Sequence, residues 1–278
     1  MRSGDLERGD ADQICDSHFH VFGPYSRFPL GPSASYRPSE ATVAAYRRVQ
    51  NRLGIARMVV VQGGCYGTDN SAMLDAVRNF GVDVARGVAV VDRDIDSTAL
   101  RRLHSAGVRA IRINAISDKS IDEQTVRMLA AKISEVGWHI QYHAVPEQIS
   151  AYEATLGGLP VDVCIDHCGR LDPREGDNQA AMSSILRLLN RGKCWVKLIS
   201  YRSAIAGRTR IEMKPIISKI LNAAPERCVW GTDWPHPLLD DVPDTAELLS
   251  EFRDFISNEA LQRLVLCSNP AKLYGFGL

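Results

Sequence analysis

The feature that most limits the fold is a rhythm. Short apolar segments alternate with longer amphipathic ones from residue 14 to residue 274. The apolar segments fall near 14–22, 56–62, 84–91, 108–115, 139–144, 161–166, 194–200 and 228–231. Runs such as Met58-Val59-Val60-Val61 are apolar throughout rather than alternating, which suits parallel strands covered on both faces. Between them lie segments with helical periodicity, near 39–53, 68–80, 96–105, 122–136, 147–155, 178–190, 209–223 and 245–257, with a last helical stretch at 259–274. Eight strand-then-helix units in 278 residues predict an α/β fold, a single (β/α)8 TIM barrel. An open doubly wound sheet would want a glycine-rich phosphate turn after the first strand, and this chain has His20-Val21-Phe22-Gly23-Pro24 there. One barrel domain is expected over 1–278, with 1–12 as a polar lead-in.

Composition removes several function classes. Lys plus Arg equals Asp plus Glu at 33 each, and no basic block points to nucleic acid or an anionic membrane surface. No apolar run approaches the ~18 residues of a membrane span, and the N-terminus lacks the apolar core of a signal peptide. The seven cysteines form no CxxC pair. They read as reduced, buried thiols of a cytoplasmic protein. The partner expected is a small-molecule substrate.

In a barrel of this kind the functional side chains stand at the C-terminal strand ends. Strand 1 offers His18 and His20, which share a face with Asp16 if the strand alternates regularly. Strand 4 offers Arg112 and Asn114, and strand 5 offers His143, in phase with His139 and Gln141. Strand 6 ends in Asp166-His167-Cys168-Gly169-Arg170. Lys197 lies on strand 7, read as a buried salt-bridge partner, with Arg202 in the loop beyond. Strand 8 ends in Gly231-Thr232-Asp233-Trp234-Pro235-His236. Six of the seven histidines therefore fall in or beside strands, and His104 alone sits on a helix. Neutral imidazoles with a carboxylate are the donors of a catalytic zinc-like site. His18, His20, His143 and Asp233 are thus expected to hold one divalent ion, zinc by donor type. Asp233 is expected to accept the water's proton, with His167 beside it. The competing expectation keeps the same residues as hydrogen-bond donors that polarise a carbonyl without an ion. No Gly-x-Ser-x-Gly elbow is present.

These stretches, together with Phe22-Gly23-Pro24, Arg27-Phe28-Pro29-Leu30, Gly67-Thr68-Asp69-Asn70 and Gly107–Asn114, resemble the lactone hydrolases of the amidohydrolase superfamily. The resemblance runs through nearly the whole chain in one order. It implies a distorted barrel and hydrolysis of a cyclic ester of an anionic small molecule from aromatic or sugar-acid catabolism. It implies Asp233 as general base, with His18, His20 and His167 around the scissile carbonyl. Tyr36, Arg112 and Arg202 fall where this family holds substrate carboxylates, and Arg170 joins them. A metal-dependent decarboxylase or hydratase of the same superfamily shares the histidine and aspartate pattern and is the alternative. Three departures bear on substrate. The pyrone-dicarboxylate members carry Pro-Ser where this chain has Gly63-Gly64, and Asn-Phe-Val-Lys-Arg where it has Asn114-Ala115-Ile116-Ser117-Asp118. They also carry Tyr at the position of His143. Two anion-binding side chains are thereby missing, which argues against pyrone dicarboxylate itself.

Overall fold

The computed structural model describes residues 13–32, 34–118, 121–174, 180–202, 210–239 and 241–277. The polar lead-in and the expected helix starts at Asn178 and Thr209 lie outside them. Eight strands form one parallel sheet in sequence order. They are β1 (Cys15–Phe19), β2 (Arg57–Val61), β3 (Ala85–Ala89), β4 (Val108–Asn114), β5 (His139–His143), β6 (Val163–Ile165), β7 (Cys194–Lys197) and β8 (Cys228–Val229). The sheet nearly closes. Three backbone hydrogen bonds, Ser17 N to Trp230 O (3.0 Å), Asp233 N to His18 O (2.7 Å) and His20 N to Trp234 O (2.7 Å), join β1 to the segment after β8. This is the (β/α)8 barrel expected from the rhythm, distorted as the resemblance implies.

The helices follow their signals. Asp96 caps α3 (Ser97–Ser105) by accepting from Ala99 N, Asp122 caps α4 (Glu123–Ser134) through Thr125 N, and Asp244 caps the helix Thr245–Phe255 through Ala246 N. The first helix, α1 (Val43–Leu53), starts later than Ser39 because Thr42 is its cap, and it ends on Gly54 in the left-handed region. The expected helix 147–155 is two short ones, α5 (Pro146–Ala151) and α6 (Glu153–Gly157), divided at Tyr152. The last stretch is likewise interrupted, by a π-helical turn at Leu264–Ser268.

Two layers of core hold the sheet. Outward residues such as Met58, Val60, Ile111 and Ile140 pack under the helices. Inward, Val59, Val61, Val88 and Ala110 meet Tyr274 and Phe276, which plug the N-terminal end. Arg57 and Arg86 clamp that plug by donating to the carbonyls of Gly277, Tyr274 and Gly275.

Candidate active site

Strand β1 carries the first surprise. Its register against β2 shifts between Asp16 and Phe19. A bulge of this kind re-aims the side chains that follow it. Asp16 therefore does not share a face with His18 and His20, as strict alternation would require. It turns towards α1 and the β8 end, where its carboxylate accepts from Tyr46 Oη (2.8 Å), Thr232 N (2.9 Å), Thr232 Oγ1 (2.6 Å) and His18 N (3.1 Å). Burial pushes its pKa up to about 6 against those four donors. Asp16 is thus a staple between strand 1 and residues far along the chain, while His18 and His20 are left pointing into the barrel mouth.

Gly231 makes the approach possible. A Cβ there would sit 2.7 Å from His18 N and 2.8 Å from His18 Cβ. Two residues on, Asp233 adopts φ 54°, and on the β6 end His167 adopts φ 53°. Both are buried non-glycine residues in the left-handed region, a conformation that costs free energy and concentrates at functional sites.

These turns bring His18, His20 and Asp233 together. Asp233 Oδ1 lies 3.5 Å from His18 Nε2 and 3.2 Å from His20 Nε2, and the two imidazole nitrogens are 3.3 Å apart. Asp233 Oδ2 faces the other way and accepts from Arg202 Nε (2.5 Å) and Tyr201 Oη. Arg202 also donates to Pro237 O at 2.8 Å. His167 stands beside His18, ring centroids 5.0 Å apart, and His143 stands 5.1 Å beyond His167. Below them Asp166 receives Arg112 at 3.4 Å, Lys197 at 3.7 Å and the Gln141 amide at 3.0 Å. Tyr36 reaches over the mouth so that its hydroxyl lies 3.7 Å from the Cβ position of Gly64, and its pKa is pushed up to about 12 by burial. Arg170 has no hydrogen bond or ion pair among the described residues, although it lies close enough to Arg202 and Asp233 to feel their charges.

The electrostatics fix the protonation states. Burial would raise the Asp233 pKa, but the Arg202 guanidinium outweighs it and holds the carboxyl well below its usual range. Burial first, then the cations Lys197 and Arg112, keep His18 well below its ordinary value. His20, His143 and His167 are likewise lowered by burial. The site at neutral pH is therefore a carboxylate ringed by neutral imidazoles.

Could these residues take a metal? Two groups of described residues are close enough: His18, His20 and Asp233, and His18, Asp166 and His167, each with donor atoms within 4.8 Å of one another. His143, expected as a fourth ligand, is in neither group. His20 suits the role, because its Nδ1 donates to Val61 O at 2.8 Å and leaves Nε2 bare towards Asp233. His18 does not. Its Nδ1 faces the ammonium of Lys197 at 3.2 Å and the amide of Gln141 at 3.4 Å, so its bare nitrogen is turned away from Asp233. With His18 protonated on Nε2, two bare donors face the space between the three residues, His20 Nε2 and Asp233 Oδ1.

The sequence named most of this cluster but missed three members. Tyr201 and Gln141 gave no motif, and Asp166 carried no role before its contacts to Lys197 and Arg112 were known. His236, at the strand 8 turn, bonds Thr245 Oγ1 at the start of its helix (3.0 Å), and His104 accepts from Trp138 Nε1 (3.1 Å).

A family model described as amidohydrolase matches residues 15–276. The chain belongs to the amidohydrolase family. It is 33% identical over 273 residues to a 2-pyrone-4,6-dicarboxylate hydrolase of Comamonas testosteroni, covering 93% of this chain and 89% of that one. It is 31% identical over 268 residues to a 4-sulfomuconolactone hydrolase of Rhizobium radiobacter, covering 94% and 89%. A solved structure from Acinetobacter baumannii, with citric acid bound, matches with a TM-score of 0.86 at 26% identity over 95% of this chain and 100% of that chain. Within the amidohydrolase family, the strand-end histidines and Asp233 of this chain are thus set in a barrel shared along almost its full length. No described helix of this amidohydrolase is long and apolar enough to cross a membrane.

Proposed function

We propose that this protein, acting as one barrel domain, hydrolyses the lactone ring of a small anionic metabolite by attack of water. The observation that carries the reading is Asp233. Its Oδ1 is turned to His18 and His20 while Arg202 and Tyr201 hold Oδ2, so one oxygen is left to accept a proton from water. The mutual orientation of the carboxylate is fixed before substrate arrives, which removes that cost from the barrier. The lactone carbonyl is polarised by imidazole N–H groups of His18 and His167, neutral donors that are themselves buried. Addition of the water oxygen gives a tetrahedral carbon. Collapse then expels the ring oxygen, which takes the proton from Asp233, restores the carboxylate and leaves a hydroxy acid or its keto form.

The anionic class follows from the cations around the mouth. Arg170 has no partner among the described residues, and Arg112 and Arg202 each hold one carboxylate of the protein. With Tyr36 they form the set that takes a substrate carboxylate, in keeping with the anionic lactones that the names of the Comamonas and Rhizobium relatives describe. Gly63-Gly64 and the Asn114–Asp118 stretch lack the extra donors of pyrone-dicarboxylate members, so a substrate with fewer charges than pyrone dicarboxylate is expected. The seven cysteines are all free and buried, which suits the reducing cytoplasm.

A second reading places one divalent ion, zinc by donor type, between His18, His20 and Asp233. It is favoured by the convergence of their three donor atoms and requires His18 to carry its proton on Nδ1. One experiment separates the readings. The purified protein is screened against anionic and sugar lactones by proton release, with elemental analysis on the same sample and a chelator arm. Ring opening that survives the chelator at well under one equivalent of transition metal supports the first reading. Release of carbon dioxide without ring opening would replace both with a decarboxylase.

A further inference from the structure

Lys197 is fully buried on β7, inside the barrel and directly below His18. Its Nζ meets three acceptors: Ser17 O at 2.9 Å, Gln141 Oε1 at 2.5 Å and His18 Nδ1 at 3.2 Å. An ammonium has three N–H bonds and no lone pair, so each of these contacts takes one of them. The carbonyl of Ser17 and the Oε1 of Gln141 can only accept. The amide of Gln141 is fixed the same way round by its other end, where Nε2 donates to Asp166 Oδ2 at 3.0 Å. Reversed, the amide would set its NH2 against the ammonium and its oxygen against the carboxylate. The second Nε2 hydrogen then faces His18 Nδ1 at 3.4 Å. Two donors thus converge on that nitrogen. The competing acceptor, Asp166 Oδ1, stays 3.6 Å away, outside hydrogen-bond range.

We propose that Lys197, with Gln141, is a positioning residue that locks His18 in the tautomer protonated on Nε2, so that one N–H is delivered to the space between His20, Asp233 and the lactone carbonyl. The lactone as acceptor rests on the function proposed above; the tautomer does not. The lock accounts for a contact that is otherwise unfavourable. His20 Nε2 is bare, because Nδ1–H is spent on Val61 O, and it faces an oxygen of the Asp233 carboxylate at 3.2 Å. Two acceptors at that distance repel unless a positive centre lies between them. The Nε2 proton of His18, 3.3 Å from one and 3.5 Å from the other, is that centre in the resting enzyme. When substrate enters, its carbonyl oxygen takes this N–H, and the tautomer needed for polarisation is present beforehand. Gln141 and Lys197 touch no reacting atom; they act through His18.

The test is nitrogen NMR of the full chain labelled with 15N-histidine, without substrate, beside steady-state kinetics. His18 is assigned by the signals lost in His18→Asn, or by correlation from its backbone amide. The wild type is expected to show a protonated Nε2 and a bare Nδ1 at His18. In Lys197→Met the proton should move wholly or in part to Nδ1. The same variant should lose about 10²–10³-fold in kcat, the usual cost of one oxyanion donor, with KM within about threefold. A wild-type His18 protonated on Nδ1 overturns the proposal. So does a Lys197→Met enzyme with an unchanged tautomer. If Lys197→Met does not fold, the wild-type spectrum still decides the tautomer, and Gln141→Leu serves as the comparison. A chain that opens no lactone would sink the proposed function and leave the NMR result standing.

Discussion

Replacing Asp233 with asparagine tests the proposed base with little disturbance, and the structure says why. Asparagine has one acceptor oxygen and one donor nitrogen. Arg202 Nε and Tyr201 Oη both donate at the Oδ2 position, so the amide oxygen must go there. The amide nitrogen is then forced to the Oδ1 position, where the bare Nε2 of His20 at 3.2 Å can accept from it. The contacts to Arg202, Tyr201 and His20 are kept, while the charge, the proton acceptor and the acceptor that faced His18 Nε2–H at 3.5 Å are lost. A hydrogen bond to a charged group is worth about 1.5–3 kcal/mol and one between neutral groups about 0.5–1.5, so Asp233→Asn should lose about 1–2 kcal/mol of stability. Its effect on rate should be far larger. A general base contributes about 10²–10⁴-fold, which is about 3–5 kcal/mol of barrier. Lactone opening releases acid, so a pH-stat follows the rate, and urea unfolding of the same preparation gives the stability. A folded Asp233→Asn enzyme within about fivefold of the wild-type rate would refute the assignment of the base.

Four further outcomes are expected. First, stability should fall with acid. His18, His20, His139 and His167 are all lowered by burial, His139 to about 3, so the folded state binds fewer protons than the unfolded chain below about pH 6.5, and their contribution is lost as pH falls. Asp16, pushed up to about 6 by burial, works in the opposite sense and returns part of it. Urea titrations should find up to about 3 kcal/mol less stability at pH 5.5 than at 6.5, and a flat curve would contradict the neutral histidines. Second, Arg170→Met should leave the stability from urea unfolding within about 0.5 kcal/mol, since Arg170 bonds nothing among the described residues, yet raise KM for an anionic lactone about tenfold or more. Third, His143→Phe should lower the rate without changing transition-metal content by elemental analysis, because His143 lies outside both candidate metal groups. Fourth, Gly63→Ala should destabilise by about 1–3 kcal/mol in thermal or urea unfolding, since its Cβ would sit 2.5 Å from Phe22 Cε1.

Much of the barrel was legible because its signals are local. Aspartates at 96, 122 and 244 announce helix starts, and apolar runs such as Met58–Val61 announce covered strands. The helix near 147–155 was legible as one element only because its break at Tyr152 carries no glycine or internal proline signal. In the site, His18, His20, His167 and Asp233 could be named from strand ends alone. The orientation of Asp16 could not, because a register shift in β1 depends on the fit of β1 against β2 and has no residue code of its own. The network of Gln141, Asp166 and Lys197 was equally hidden. Gln141 and Lys197 lie on different strands and Asp166 just past the end of a third, and only closure of the barrel gathers an amide, a carboxylate and an ammonium beneath one imidazole. The grip of Tyr201 and Arg202 on Asp233 is hidden for the same reason.

The junction between the first strand and the last has a consequence for how the enzyme can fail. His18 and Asp233 face each other across it, while Asp16 reaches Thr232 over a sequence separation of 216 residues. The last strand has only two residues, and the ring is closed here by the three backbone hydrogen bonds described above. Opening there separates the imidazoles from the carboxylate while all eight strands stay paired in the sheet. Such a local excursion needs less free energy than global unfolding. Catalytic competence is therefore lost by unzipping at one place, ahead of any melting of the rest, and during folding it is gained last, when the two ends of the chain have found each other.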